Sequence, residues 1–440
     1  MKLVKLSLVA ALAAGSLSAL NAVSLEDAIK NVDFTGNLRY RYDTASAFAN
    51  NTQSSIKRKQ RHGLRAQLNT NAHISDEFRV FGQAQYGNSN EGGYGSVADG
   101  NRADTQGSLK LRQAYLEYVL SDYATSASVG RQVLGTIWTD DFVGIAGKLT
   151  NTSIEGVTLA AFWVDGFEME SDGDEAFNTT LFTTNLKNAQ NQDIPGTNLH
   201  DFFFRQNLYG AAAVTSFDLG GQKIDAQLWY GFMQKRASLY ALDVKYSLDI
   251  AEDLNWGLRA SYLGNSVDST LKDYVARRYQ AKVDNGTFYR VEGDLKGYGF
   301  NGTLGYLGYG KKDAYTVNTV EDTGKLGLPG KELFYSKGSN LTGDKGENAY
   351  AYAKVGYTLP QGVSLNVHYL FGATKVGALG SEDGGGKKQE ILGLVSYDYN
   401  KALNFQAWYS YLDASSDLRS GLNEDNYKKN TIRLQALYKF

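Results

Sequence analysis

The chain has 440 residues, a formal net charge of -2 and no cysteine, which excludes a disulfide scaffold. Its mean hydropathy of -0.38 is that of a soluble protein. The composition nevertheless includes 48 Gly, 30 Tyr and 20 Phe but only 3 Pro. After the N-terminal region no apolar stretch is long enough to cross a membrane as a helix.

The N-terminus "MKLVKLSLVAALAAGSLSALNA" has Lys2 and Lys5, an apolar run from Leu6 to Leu20, and the small residue Ala22. This layout predicts a secretory signal peptide over residues 1–22. A transmembrane anchor is the alternative, but the run is short of the ~20 residues that a spanning helix needs. The following "SLEDAIKNV" predicts a single helical turn before the first strand, and no segment as long as the strand candidates shows a clear helical period.

The first strand candidate is "FTGNLRYRY", in which apolar and polar residues alternate with the period of a β-strand. "GLRAQLNTNA" and "FRVFGQAQY" repeat the pattern, and the terminal "TIRLQALYKF" carries it to the last residue. An amphipathic strand at a free terminus must be paired in a sheet. The polar face of the first strand is too cationic for a protein core. These features predict an all-β protein whose strands present an apolar face to lipid and a polar face to water.

Eight short turns punctuate the strands, and longer polar or Gly-rich stretches lie between them. The turns are "ISDEF", "LSDYA", "TSIEGV", "FDLGGQ", "DIAEDL", "DLKGY", "LPQGV" and "YNKAL". Alternation of short and long connections is typical of a transmembrane antiparallel β-barrel with periplasmic turns and extracellular loops. If both ends of the chain are periplasmic, eight turns on that side predict a barrel of 18 strands. A barrel of 16 strands is the alternative, and it requires that one of the eight turns is not a turn. Residues 23–440 would then form one barrel domain in the bacterial outer membrane, since no linker interrupts the pattern.

Several blocks carry a resemblance to a known family. The leader, "LEDAIKNVDFTGNLRYRYDT", "IWTDD", "GVTLAAFWVDGF", "NLYGAAAV" and the terminal "TIRLQALYKF" resemble the major outer membrane protein, or porin, of Campylobacter and its relatives. The resemblance implies a homotrimeric general porin of 18 strands that passes ions and small hydrophilic solutes. It also implies that Tyr438 and Phe440 belong to a signal read by the barrel assembly machinery.

In porins a loop after the fifth strand folds inward, which here corresponds to "QVLGTIWTDDFVGIAGK" with Asp140 and Asp141. Residues 149–186 contain no Lys or Arg but several acids, including Asp165 and Glu168. We predict that these four acids line the pore constriction and give a modest preference for cations. Solvated loop acids are the alternative.

Basic residues lie on the polar faces of the first three strands: Arg39, Arg41, Arg65 and Arg79. Arginines that face acids across a narrow lumen would create a transverse field that orients polar solutes. Arg112 and Arg131 are possible additions, although the alternation leaves the facing of Arg131 open.

Other functions are weakly signalled. Asp140, Asp141 and Asp165 are candidates for a Ca²⁺ site, but no EF-hand is present and no cofactor is required. The "GYGFNG" match to a dinucleotide-binding motif precedes no helix, and the four histidines are isolated from one another, so we predict no enzyme. The basic "KRKQR" is interpreted as a loop near lipopolysaccharide, not as a nucleic-acid site. An adhesin or surface-binding barrel is the alternative function.

Overall fold

The computed structural model describes residues 32–49, 59–87, 107–167, 199–377, 384–415 and 426–440. The predicted signal peptide, and the predicted helical turn except for Val32, lie outside these ranges. Within them, the chain forms a single antiparallel sheet of 18 strands, in which each strand pairs with the next and β1 pairs with β18. The sheet is therefore a closed barrel, and the prediction of 18 strands is confirmed.

The strands are β1 (Val32–Ala49), β2 (Lys59–His73), β3 (Phe78–Gly87), β4 (Ser108–Leu120), β5 (Thr125–Val133), β6 (Val143–Ile154), β7 (Val157–Phe167), β8 (Leu208–Asp218), β9 (Gln222–Met233), β10 (Ala237–Ala251), β11 (Leu254–Val267), β12 (Thr287–Gly297), β13 (Phe300–Tyr315), β14 (Lys345–Thr358), β15 (Val363–Lys375), β16 (Gly386–Asp398), β17 (Leu403–Ser415) and β18 (Asn426–Lys439).

The period-2 pattern of the sequence sets which side chains face outward. In β1, Leu38 and Tyr40 are 43% and 44% exposed on the outer surface, whereas Arg39 between them is 8% exposed. In β9 the outward-facing side chains are Leu228, Tyr230 and Phe232. Apolar side chains on the outside and polar ones on the inside are the arrangement required of a barrel whose solvent is lipid.

All eight predicted short turns lie between consecutive strands at one end of the barrel. Both ends of the described chain are also there, since the backbone amide and carbonyl of Gly36 bond those of Phe440 at 2.8 and 3.1 Å. The opposite end carries the long connections, although the link between β9 and β10 spans only residues 234–236. Short turns mark the periplasmic side of such barrels, so the long connections are extracellular.

In the described parts of the long connections there are two α-helices: α1 (Leu199–Phe204) and α2 (Ser269–Tyr279). The sequence pattern gave no sign of either helix. Helix α2 begins after Asp268, whose carboxylate caps it by accepting the Thr270 amide at 2.7 Å. It buries only Leu271 and Val275, which is too short an apolar pattern to stand out in the sequence. In the described ranges, neither helix has the length and apolarity needed to cross a membrane.

The barrel interior is partly filled by two connections at its long-loop end. These are residues 134–142, between β5 and β6, and residues 316–344, between β13 and β14. We refer to them as the β5–β6 loop and the β13–β14 loop. Their buried apolar residues include Trp138, Phe142, Leu326, Leu333 and Leu341. Together with inward residues of the wall they form the main apolar cluster of the described chain.

Candidate pore constriction

The β5–β6 loop folds against the inner wall of the barrel. Trp138 is 2% exposed, and its ring meets that of Trp229 edge-on at 6.2 Å. Trp229 alternates with the outward-facing Leu228 and Tyr230 and so points into the lumen. Phe142 is fully buried and lies 6.0 Å from the rings of Phe167 and Phe204. Burial of these aromatic rings anchors the loop, and the two aspartates between them project from a fixed base.

The β13–β14 loop meets the β5–β6 loop through backbone hydrogen bonds. The amides of Val320 and Glu321 donate to the Trp138 carbonyl at 2.9 and 3.1 Å, and the Lys325 amide donates to the Ile137 carbonyl at 3.0 Å. Gly324 has φ of 55°, and a Cβ there would lie 2.3 Å from the Ile137 carbonyl oxygen. Only glycine permits both this conformation and this close approach.

Glu321 of the β13–β14 loop joins the two loops through its buried side chain. Its side chain is fully buried, and Oε2 accepts hydrogen bonds from the amides of Asp140 at 2.8 Å and Phe142 at 2.9 Å. Burial, and then the neighbouring charges of Asp141 and Asp140, raise the pKa of Glu321 to about 8. The raised pKa makes this carboxyl group easier to protonate than an exposed glutamate, and its protonated form repels Asp140 and Asp141 less.

Asp140 and Asp141 lie at the exposed edge of this junction. The Asp140 side chain is 56% exposed and bonds Lys325 Nζ at 2.9 Å. The Asp141 side chain is 39% exposed and bonds Arg112 Nη2 at 3.1 Å, while the same nitrogen also donates to the Asp141 carbonyl at 2.8 Å. Asp140 and Asp141 each lie beside a cation, so the edge of the junction carries both positive and negative charge.

The far part of the β13–β14 loop is held by Glu390 of β16, which is fully buried. Its Oε1 accepts from the amides of Lys331 at 2.7 Å and Glu332 at 3.1 Å, and its Oε2 accepts from the Leu333 amide at 2.8 Å. The Ser410 hydroxyl adds a bond to Oε1 at 2.7 Å. A carboxylate that satisfies several backbone donors at once fixes the loop to the wall.

A second attachment lies next to the first. Lys388 is 3% exposed, and its Nζ donates to Ser339 Oγ at 2.6 Å and to the Lys337 carbonyl at 2.5 Å. Tyr309 donates its hydroxyl to the Ser339 carbonyl at 2.5 Å, and Lys429 pairs with Glu332 at 2.5 Å. These contacts fix the β13–β14 loop to the inner wall of the barrel.

The four predicted basic residues lie on the inward positions of β1, β2 and β3. Arg39 and Arg65 are direct cross-strand neighbours. Arg41 bonds Gln435 of β18 through Nε, and Arg79 lies 3.9 Å from Glu117. Nearby, Arg433 pairs with Asp43 at 2.6 Å. The structure thus places a basic wall at the closure of the barrel, formed by Arg39, Arg41, Arg65 and Arg433, whereas Arg79 lies far along the β2–β3 ladder, next to the periplasmic turn.

Lys331 of the β13–β14 loop is exposed and lies within electrostatic range of both the basic wall and the acidic edge. Enclosure of its side chain by the surrounding protein, and then the charges of Arg433 and Arg41, lower its pKa. Glu390 and Asp140 oppose the shift. One side chain thus experiences both the wall arginines and Asp140, which brings the two predicted sets of charges to the same part of the lumen.

The remaining candidates are placed differently. Asp165 is an exposed extra residue in a β-bulge of β7, next to the outward-facing Trp163. Glu168 lies outside the described residues. In the ranges that the structure describes, no three His, Cys, Asp or Glu side chains are grouped to hold a metal ion, so Asp165 does not join Asp140 and Asp141. Calcium binding stays a prediction. Arg131, whose facing was open, donates Nε to the Arg112 carbonyl at 3.0 Å.

Sequence reasoning missed the role of the β13–β14 loop, which it interpreted as one of several extracellular loops. The sequence did contain a signal, because a loop that is fully exposed to water is usually polar and this Gly-rich segment contains six large apolar residues. They are Val317, Val320, Leu326, Leu333, Phe334 and Leu341. Glu321 and Glu390 gave no local signal, because their partners are distant in the chain.

Comparison with known proteins decides the family. The family model described as Campylobacter major outer membrane protein matches residues 1–440. The chain belongs to this family. The resemblance found in the sequence is therefore confirmed, and membership places the protein in the bacterial outer membrane as a barrel of the porin type. No curated protein sequence matches this chain.

Solved structures share the fold at low sequence identity. OccK9 (OpdG) of Pseudomonas aeruginosa matches with a TM-score of 0.63 and 13% identity, covering 94% of this chain and 100% of that one. OpdQ of the same species matches with a TM-score of 0.62 and 14% identity, covering 94% of this chain and 99% of that one. OccAB3 of Acinetobacter baumannii matches with a TM-score of 0.61 and 11% identity, covering 93% of this chain and 100% of that one. At such identities the likeness establishes the architecture of the barrel and nothing finer.

Proposed function

We propose that this protein is a non-enzymatic, water-filled channel for passive diffusion of ions and small hydrophilic solutes across the outer membrane. The observation that carries the proposal is the edge of the two inward loops. Asp140 and Lys325 are 56% and 47% exposed there, although neighbouring Trp138 and Glu321 are buried. Charged side chains inside a barrel that keep contact with water mark an aqueous path.

The path would pass between the loop edge and the basic wall. Asp140 and Asp141 would face Arg39, Arg41 and Arg65 across it, and opposite charges across a narrow lumen act on solutes through a field that the wall concentrates. A solute with separated charges would be oriented as it crosses. This arrangement suits small polar solutes better than apolar ones.

The same geometry supports a modest preference for cations. Removal of Lys2 and Lys5 with the leader would change the formal charge from -2 to -4. At the edge itself, however, Lys325 and Arg112 offset much of the charge of Asp140 and Asp141. We therefore propose weak cation selectivity.

Two measurements test this function. Liposomes that contain the protein should swell in isotonic solutions of small sugars and amino acids, and empty liposomes should not. In a planar bilayer under a KCl gradient, the reversal potential should have the sign of K⁺ preference. A reversal potential of the opposite sign would reject the selectivity but leave the channel, whereas absence of both swelling and current would reject the channel.

We also propose three partners: the barrel assembly machinery, two further copies in a homotrimer, and the lipids of the outer membrane including lipopolysaccharide. Tyr438 and Phe440 support the first, because both rings are about half exposed on the outer surface and stack at 6.0 Å beside the closing strand pair. An aromatic pair at the last strand is accessible before closure, when the unpaired edge must be recognised.

A further inference from the structure

A cavity lies on the outer surface of the barrel between β12 and β15. Its volume is about 550 Å³, and lysine and tyrosine side chains line it: Lys282, Lys311, Lys312, Lys375, Tyr289 and Tyr306. The two tyrosines are about half exposed and alternate with inward-facing Arg290 and Leu307, so the cavity opens toward lipid and not into the pore. It is separate from the constriction.

The height of the cavity can be derived from the strands. Gly310, on its wall, is ten residues from Phe300, where β13 leaves its periplasmic turn. A rise of ~3.3 Å per residue and a strand tilt of ~40° place Gly310 about 25 Å above that turn, which is the height of the apolar band. The lysines are therefore at the outer membrane surface. By the same rule Tyr289, which pairs with Gly308, lies about 20 Å above the turn and Tyr306 about 15 Å, so both rings lie within the apolar band.

The charge of the cavity is positive. Four lysines line it beside two acids, Asp313 and Glu347, and a third acid, Asp284, pairs with Lys311, which leaves an excess of one positive charge. Lys311 is fixed by Asp284 at 2.9 Å, and Lys312 lies 3.9 Å from Asp313. Lys282 and Lys375 are exposed. Basic groups at the level of the head groups attract anionic lipid, because little water competes there.

The floor of the cavity includes two small residues, Gly310 of β13 and Ala349 of β14. Ala349 pairs with Gly308, and Glu347 pairs with Gly310. A Cβ at Gly308 would lie 2.4 Å from the Tyr289 hydroxyl oxygen, so this ring rests directly over the glycine. A recess between aromatic rings, with lysines above and apolar strand surface below, has the polarity gradient of a lipid at the junction of its head group and acyl chains.

We propose that this cavity binds a phosphorylated acyl-glycolipid of the outer leaflet, such as the lipid A part of lipopolysaccharide. Lys282, Lys312 and Lys375 bind the phosphates, Tyr289 packs against the first carbons of the acyl chains, and Tyr306 packs against the chains further down. The site is independent of the proposed channel, since none of these side chains enters the lumen.

The test uses the full-length folded barrel in detergent and measures binding of bis-phosphorylated lipid A in mixed micelles. The triple variant K282Q/K312Q/K375Q should bind about tenfold or more weakly, because each lysine near the surface contributes separately. The matched control K235Q/R277Q/R278Q removes three exposed charges from the same end of the barrel and should stay within about twofold of the wild type. Heat modifiability checks that both variants are folded.

Three further arms identify the ligand. Dephosphorylated lipid A should bind weakly, and inorganic phosphate at equal concentration should not displace the lipid. Equal binding by wild type and triple variant would overturn the site. Displacement by inorganic phosphate would show a site for free anions, and a changed oligomer size in the triple variant alone would show a contact between copies; either result would overturn the lipid proposal.

Discussion

The carboxylates of the two inward loops and the wall fall into two groups, one buried and one exposed to water. Glu321 and Glu390 are fully buried and accept backbone amides, so they hold loops in place. Asp140 and Asp141 keep contact with water, which is why we propose that they act on passing solutes. Both kinds of residue look alike in the sequence, and only their burial in the fold separates an acid that holds a loop from one that can face the pore water.

Replacing Asp140 and Asp141 together with Asn should reduce the preference for cations while the barrel stays folded. Asn preserves the volume and removes both negative charges, so the positive charges of Lys325, Arg112 and the basic wall act more strongly on a passing cation. We expect the K⁺ to Cl⁻ permeability ratio to fall about two- to fivefold, which corresponds to ~0.4–1 kcal/mol. The reversal potential in a salt gradient measures it.

A second variant distinguishes this edge from the acidic stretch that follows. Neutralising the acids from Asp165 to Glu175 should change selectivity less, because Asp165 is exposed on a bulge of β7 and not at the loop edge. If only this second variant alters the reversal potential, the selectivity lies outside the constriction described here.

At the scale of elements, the strands and turns were predictable and the loops were not. A period of two over eight to ten residues fixes both the strand and its outward face, and the eight turns follow from residues such as those in "LPQGV". The inward fold of the β13–β14 loop depends on Glu390, which follows Leu333 by 57 positions. No local pattern encodes such a partner.

Replacing Glu390 with Gln should loosen the β13–β14 loop. A bond from a backbone amide to a charged acceptor contributes about 1.5–3 kcal/mol, and Gln keeps only one acceptor oxygen. We expect a larger and noisier open-channel conductance, with tryptic cleavage after Lys331 or Lys337.

The control E117Q removes another inward carboxylate, one that lies 3.9 Å from Arg79 on the opposite wall and not beneath the loop. It should leave the conductance and the protease pattern close to those of the wild type. A Glu390 variant that behaves like this control would show that the remaining attachments, including Lys388, suffice.

At the scale of the whole molecule, closure replaces disulfides as the source of stability. Each of the 18 strands has two neighbours, and the pairing of β1 with β18 removes the free edges that an open sheet would expose to lipid. Phe440 completes this pairing through both of its bonds to Gly36.

Deleting Phe440, or replacing it with Asp, should therefore lower the amount of assembled barrel in the outer membrane. Deletion removes two backbone bonds at the seam, and Asp places a charge where an aromatic ring faces lipid. The heat-modifiable protein in outer-membrane fractions measures assembly, with Phe440→Tyr as the control that retains the ring. Normal levels in the deletion would show that the terminal residue is dispensable.

The central claim, that this barrel is an open aqueous channel, is tested most directly by single-channel recording of the purified protein in a planar bilayer. We expect discrete current steps whose size rises with KCl concentration, because ions cross through water beside the two inward loops. Correctly folded, heat-modifiable protein that inserts without producing such steps would mean that the loops fill the lumen, and would contradict the claim.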